Sequence, residues 1–114
     1  MNNIMPVYVA ISTSWCCDTS ENILHGVFSS REKVFEVLVG EINKCFKMKD
    51  DYLTKVYKDK ILNDQLNESK VYKQEVIKKL SLNNITSIGD STIGIDCNFS
   101  IIEVEQDKVS DITF

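Results

Sequence analysis

Several things are scarce in this chain, and each scarcity excludes something. Nowhere does it approach the ~18 consecutive apolar residues that a membrane span needs. The opening, Met1-Asn2-Asn3-Ile4-Met5-Pro6, has neither the basic region nor the apolar run of a secretory signal. The expectation is therefore a cytoplasmic protein with no membrane partner. Only one proline, Pro6, and four glycines occur, so no linker or low-complexity tract divides the 114 residues, and one domain over residues 1–114 is expected. Gly89-x₄-Gly94 is not followed by the Lys-Ser/Thr of a phosphate loop, nor by a helix that would supply the amides. Histidine occurs once, at His25, which leaves little material for imidazole-based chemistry.

What is present is ordinary for a folded domain: 43% hydrophobic and 26% charged residues. The net charge of −4 is unevenly spread. Residues 1–40 hold four acids and two bases, residues 41–80 seven and ten, and residues 81–114 six and one. A nucleic-acid groove needs clustered positive potential, which the acidic last third would oppose, so direct nucleic-acid binding is not expected. The middle lysines, among them Lys55, Lys58, Lys60, Lys70, Lys73, Lys78 and Lys79, are interleaved with Asp59, Asp64 and Glu75 in the manner of a solvated face. Abundant Asn, Ile and Lys beside a single arginine, Arg31, point to an AT-rich coding genome.

Val7-Tyr8-Val9-Ala10-Ile11 is apolar or aromatic on both faces and reads as a buried central strand. Ser12 to Asn22 is rich in turn-formers and predicts a loop or a distorted hairpin connection, after which Ile23 to Phe28 returns as an antiparallel partner. Ser29-Ser30-Arg31-Glu32 has the form of a capping box with Ser29 as the cap. A helix follows from Glu32 to about Met48, its stripe formed by Phe35, Leu38, Ile42 and Cys45, with Val34, Val39 and Phe46 at the margins. Gly40 inside it suggests close packing against a neighbour. Helix is also predicted from Asp50 to Leu82, with stripes at Leu53, Val56, Tyr57, Ile61 and at Tyr72, Val76, Ile77, Leu80. The polar cluster of residues 63–69 marks a break. Asn83-Asn84 ends the helical region. Ile85 to Ile88 with Gly89-Asp90-Ser91 then signals a hairpin. Beyond it, Ile93, Ile95, Cys97, Phe99 and Ile101 alternate with polar residues as a half-buried strand. Ile102 and Val104 carry the opposite phase, which predicts a bulge or turn between Asn98 and Ile101. The expected fold is α+β: a mostly antiparallel sheet, made of the N-terminal hairpin and the C-terminal strands, packed on two or three helices.

Four features are candidates for chemistry. Ser14-Trp15-Cys16-Cys17-Asp18 sets the sole tryptophan in a polar segment, where a large aromatic can anchor a partner or simply close the core. Zinc would draw on Cys16, Cys17, His25 and Cys97, but adjacent cysteines strain the tetrahedral geometry, and no metal or other cofactor is expected. Cys16, Cys17, Cys45 and Cys97 are read as free thiols of a reducing compartment. His25 could pair with Cys16 or Ser14 across the hairpin as base and nucleophile, against the reading of a hydrogen-bonded structural histidine. Glu103 and Glu105, with Asp96 and Asp107 nearby in sequence, form an acid row that is either a solvated edge or an acidic contact surface. No catalytic motif emerges, and the chain is expected not to be an enzyme.

At Gly26-Val27-Phe28-Ser29-Ser30-Arg31-Glu32-Lys33 the chain resembles a group of small phage- and prophage-type proteins. They open with a strand like Val7 to Ile11, enter a helix through such a segment, and close with a strand like Ile101 to Glu105. Residues 49–82 depart from that group, whose helical section is shorter. The resemblance implies an accessory gene of a mobile element in a low-GC bacterium, and hence a non-enzymatic protein that blocks a host or phage protein, an anti-CRISPR inhibitor being one form. Trp15, Cys16, Asp18, Asp96, Glu103, Glu105 and Asp107 are the expected contacts. The alternative is a small-molecule or metabolite binder with a pocket between helices and sheet, self-associating as a homodimer.

Overall fold

The computed structural model describes residues 6–16, 19–90 and 94–105, and for residues 15, 16, 19, 20 and 105 the backbone alone. Six elements follow in order: β1 (Pro6–Cys16), β2 (Thr19–Phe28), α1 (Arg31–Val56), α2 (Asp59–Asn83), β3 (Ile85–Asp90) and β4 (Ile95–Glu105). The strands form one sheet in the order β2-β1-β4-β3, every neighbouring pair antiparallel. This is the expected α+β architecture with two helices. The doubly apolar run at Val7 to Ile11 lies in a central strand, with β2 on one side and β4 on the other. The turn-former segment from Ser12 onward is not a loop: β1 continues to Cys16 and β2 starts at Thr19, because Thr and Ser tolerate a pleated backbone once a partner satisfies their amides.

The helical hairpin spans the sheet. α1 leaves from the edge strand β2 and α2 delivers the chain to the opposite edge, β3. Ser30, not Ser29, is the N-cap of α1. Its hydroxyl accepts from the Lys33 amide at 3.2 Å, so Glu32 falls in the first turn, where it faces the positive end of the helix dipole. Arg31 then reaches across to the far end of α2. Its guanidinium donates to the Ser81 carbonyl at 2.6 Å, the Leu80 carbonyl at 3.3 Å and Asn84 Oδ1 at 2.8 Å. One side chain thus satisfies carbonyls that a helix end leaves without partners. Asn84 supplies the left-handed cap (φ 61°), and its own carbonyl accepts from the Ile101 amide at 2.7 Å, locking the helix exit onto β4.

Three local expectations are corrected. The polar cluster at 63–69 lies inside α2, and the break falls at Tyr57-Lys58, both extended, followed by Asp59 at φ 58°. Tertiary contact decides this. The Ser69 hydroxyl, buried between the helices, donates to Asp50 Oδ1 at 2.8 Å and is thereby matched in a helix interior. As a consequence Val56 and Ile61, predicted on a buried stripe, are half exposed or more. The stripe of α1 is centred on Val34, Leu38, Ile42 and Phe46, four residues apart, so Phe35 and Cys45 lie at its margin. Gly40 is exposed, and a Cβ there would meet nothing within 4 Å, so close packing does not account for it.

The core lies between the helices and one sheet face. Val34, Leu38, Ile42 and Phe46 of α1 and Val76 and Leu80 of α2 meet Ala10, Ile88, Ile95, Phe99 and Ile101 of the strands. At one corner the chain is pinned by polar and aromatic contacts together. Lys49 pairs with Asp90 at 2.9 Å and lies 5.3 Å from the Tyr72 ring centroid, Tyr72 packs edge-on against Phe46, and the Gly89 amide donates to the Tyr72 hydroxyl at 3.0 Å.

Candidate functional site

Register alone fixes which side chains share each face. On the helix side lie Tyr8, Ala10 and Ser12 of β1, opposite Glu103, Ile101 and Phe99 of β4. On the other side lie Val7, Val9 and Ile11, opposite Val104, Ile102 and Ser100. β4 runs without a register shift from Ile95 to Glu105, so the bulge expected between Asn98 and Ile101 is absent. The change of phase along β4 is real. Its apolar residues leave the helix side after Ile101 and appear on the opposite side at Ile102 and Val104.

That opposite side carries no secondary structure among the described residues, yet it is apolar. Val27, Val9 and Ile102 form one row across three strands, and Leu24, Ile11, Ser100 and Ile85 form the next across four. Val9, at the centre, is fully covered by its surroundings. Around it Leu24 is 48% exposed, Val27 44%, Ile85 58% and Ile102 36%. A sheet face left to water ordinarily shows polar residues at these positions. Among the described side chains of this face the sole charge is Asp96, near the far end of β4 from Ile102.

A second constellation sits at the seam between α1 and the sheet. The pairing of β1 and β2 slips between Ala10 and Ile11, where Gly26 (φ 149°) is followed in the register by Leu24. The extra residue is His25, and the bulge turns its ring toward α1. There the Ser12 hydroxyl and His25 Nε2 are 2.6 Å apart, and His25 Nδ1 is 4.0 Å from Glu41 Oε1. The Ser12 hydroxyl and Nε2 share one hydrogen bond, whose donor is set by the tautomer of the ring, and the Glu41 carboxylate stands on the Nδ1 side. Lys44 pairs with Glu41 at 3.1 Å. Hydroxyl, imidazole and carboxylate thus stand in the order of a catalytic relay. Acyl transfer also needs open space beside the hydroxyl and donors for an oxyanion. Ser12 is buried, and the concavities around Gly89 to Asp96, around Val71 and between α1 and α2 are lined by other residues.

Sequence reasoning missed Ser12 and Glu41 and paired His25 with Cys16 or Ser14 instead. Cys16 pairs with Thr19 and Ser14 with Glu21, which sets their backbones about 20 Å and about 13 Å along the strand from His25 at 3.3 Å per residue. No spacing rule could have revealed the bulge; Gly26 beside the lone histidine was the available signal.

Two thiols lie next to this seam. Cys45 of α1 and Cys97 of β4 are both free and partly buried, and they lie next to each other. Burial, then the neighbouring Cys97, push Cys45 up to about 12, and burial also raises Cys97. Protonated thiols of this kind are poor nucleophiles and poor metal ligands. Among the described residues no group of three or more His, Cys, Asp or Glu converges as a metal site. The side chains of Cys16 and Cys17 lie outside the described residues.

Of the expected contact residues, Asp18 and Asp107 lie outside the described residues, and of Trp15, Cys16 and Glu105 the backbone alone is described. Trp15 and Cys16 close the β1–β2 hairpin opposite Ser20 and Thr19. Glu103 and Asp96 are exposed but are not one row. With no bulge in β4 they occupy opposite faces, seven residues and about 23 Å apart along the strand. Between α1 and α2 there is a cavity of about 440 Å³ lined by Phe46, Asp50, Leu66, Ser69, Lys70 and Lys73 among others. No helix of the described chain is long and apolar enough to cross a membrane.

No protein-family model matches this sequence, and neither the characterised proteins nor the solved structures compared with it contain a match.

Proposed function

We propose that this chain acts by binding protein and performs no reaction of its own. The observation that carries the proposal is the apolar sheet face opposite the helices, where Leu24, Val27, Ile85 and Ile102 remain exposed at positions that a finished surface fills with polar residues. Exposed apolar area of this extent marks a surface meant to be covered. The polar seam at Ser12, His25 and Glu41 fits a structural role, because its hydroxyl is buried and each member has a partner. The direct test is a photo-reactive residue in place of Leu24, activated in living cells. Adducts to protein support the reading. A chain that folds but yields no protein adduct overturns it.

The resemblance at Gly26 to Lys33 supports a finer version: an accessory protein of a mobile element that blocks a host protein, a nuclease of bacterial immunity being one target. Expression in a host with active nuclease immunity should then raise the plating efficiency of a targeted phage. Plating equal to that of an empty vector overturns this version. A second reading, a small-molecule binder, has the cavity between α1 and α2 in its favour. A retained small mass in native mass spectrometry of the freshly purified chain would support it.

A further inference from the structure

We infer that the occupant of the apolar sheet face is a second copy of this chain, packed face to face as a two-layer β-sandwich; this rests on the reading of that face as a protein-docking surface. Three observations select the partner. The first is charge. Although the chain carries a net −4, its described acids and lysines stay off this face except for Asp96 at one end. A second copy therefore meets no like-charge repulsion there. A strongly charged partner, conversely, would find nothing to pair with and would lose hydration on docking.

The second is shape. The face is a continuous antiparallel sheet, with one slip between β1 and its edge partner β2 that falls between the Val27 and Leu24 rows. Sheet faces of this kind pack on like sheets at about 30°, interleaving their outward side chains in a layer about 10 Å thick. A twofold pair needs one patch that complements itself, and rows of Val, Ile and Leu of similar size do so. In such a pair Val27 and Ile102 of each copy lie at the centre, on either side of the already covered Val9, and Leu24, Ile11 and Ile85 flank them.

The third is area. Four strands at about 4.8 Å spacing, of which β1 and β4 run 11 residues and β3 six, give a whole sheet face of about 600 Å², apolar in the half around Val9 and Ile11 and polar in the half around Thr13 and Asn98. A pair then buries about 1,200 Å², at the lower bound of stable specific interfaces. The rows through Val9 and Ile11 give that contact an apolar centre, in which Ser100 is the one polar residue. The pair leaves both helical layers and both β2 edges outward.

The test is sedimentation equilibrium, or light scattering behind gel filtration, from low to high micromolar concentration. It compares the wild type, the doubly substituted Val27→Lys/Ile102→Lys, and a Val71→Lys control on the exposed surface of α2. The wild type and the control are expected at twice the chain mass of 13.0 kDa. The double variant, with unchanged helical circular dichroism, is expected to be monomeric with at least a 100-fold weaker dissociation constant. If it loses its fold, Leu24→Gln/Ile85→Gln takes its place, both positions being about half exposed or more. A wild type that stays monomeric throughout overturns the proposal, as does a folded face variant that dimerises like the wild type. The photo-reactive residue at position 24 separates the two levels. Adducts of dimer mass agree with the pair, adducts to another protein sink the pair alone, and an adduct within one chain or none at all sinks the docking surface as well.

Discussion

Ile101 and Ile102 are adjacent in sequence and equal in chemistry, and the structure sends them to opposite sides of β4. Ile101 is 6% exposed in the core beneath the helices, and Ile102 is 36% exposed on the face away from them. Replacing Ile101 by Ala removes buried carbons and leaves a cavity that close-packed neighbours cannot fill, at a cost of about 3 kcal/mol. The same change at Ile102 forfeits a partial burial, and water refills the space, so the cost is about 1 kcal/mol. Against a total stability of about 10 kcal/mol for a domain of this size, both variants remain folded. With a urea slope of about 1.5 kcal/mol/M, the midpoint should fall by about 2 M for Ile101→Ala and by less than about 1 M for Ile102→Ala. The titration is run on dilute protein and repeated on concentrated protein. The second run adds a concentration-dependent loss at Ile102 alone, because that side chain lies in the proposed pair and Ile101 does not. An Ile102 variant that in dilute solution costs as much as the Ile101 variant would refute the unbroken register of β4, and with it the apolar outer face.

Three further outcomes follow from single positions. Gly40 is exposed in mid-helix and free of neighbours, so Gly40→Ala should stabilise the chain by about 1 kcal/mol, read as a rise in Tm of several degrees. A fall would mean that the glycine is needed for a contact this structure lacks. Thr86 Oγ1 is buried without a hydrogen-bond partner, so Thr86→Val keeps the shape, removes the penalty, and should be neutral to about 1 kcal/mol stabilising in chemical denaturation. Cys45 is raised in the folded chain from 9.0 to about 12. The unfolded chain therefore ionises first as the solution turns alkaline. The stability linked to this thiol is complete below about pH 9 and is lost as pH rises toward about 12. In a Cys16→Ser/Cys17→Ser background, iodoacetamide at about pH 8 should modify Cys45 and Cys97 far more slowly in the folded chain than in urea. Equal rates would contradict their burial and pairing.

Much of the fold was legible because it rests on local periodicity. The doubly apolar run at Val7 to Ile11 announces a central strand, the stripes from Glu32 to about Met48 and from Asp50 to Leu82 announce helix, and the alternation from Ile93 to Ile101 announces a strand with one dry face. Where reading failed, a distant partner had overruled a local preference. Asp50 makes Ser69 acceptable within α2, and the helical hairpin turns at Tyr57-Lys58 without glycine or proline. The candidate sites were legible in part. His25 stood out for its rarity, but its partners Ser12 and Glu41 are fixed by a bulge and a helix crossing that leave no spacing signature. The change of phase at Ile102 was visible too, though local logic reads such a change as a break in the strand.

By itself the sequence determined the type of most elements and their antiparallel grouping, because periodicity and capping act within a few neighbours. Only the tertiary structure decided that β4 is unbroken and that two apolar faces share one sheet, since which side a strand presents depends on its register with β1 and on where the helices settle. The proposed function lives on that second face, and a one-residue slip in the pairing would have erased it.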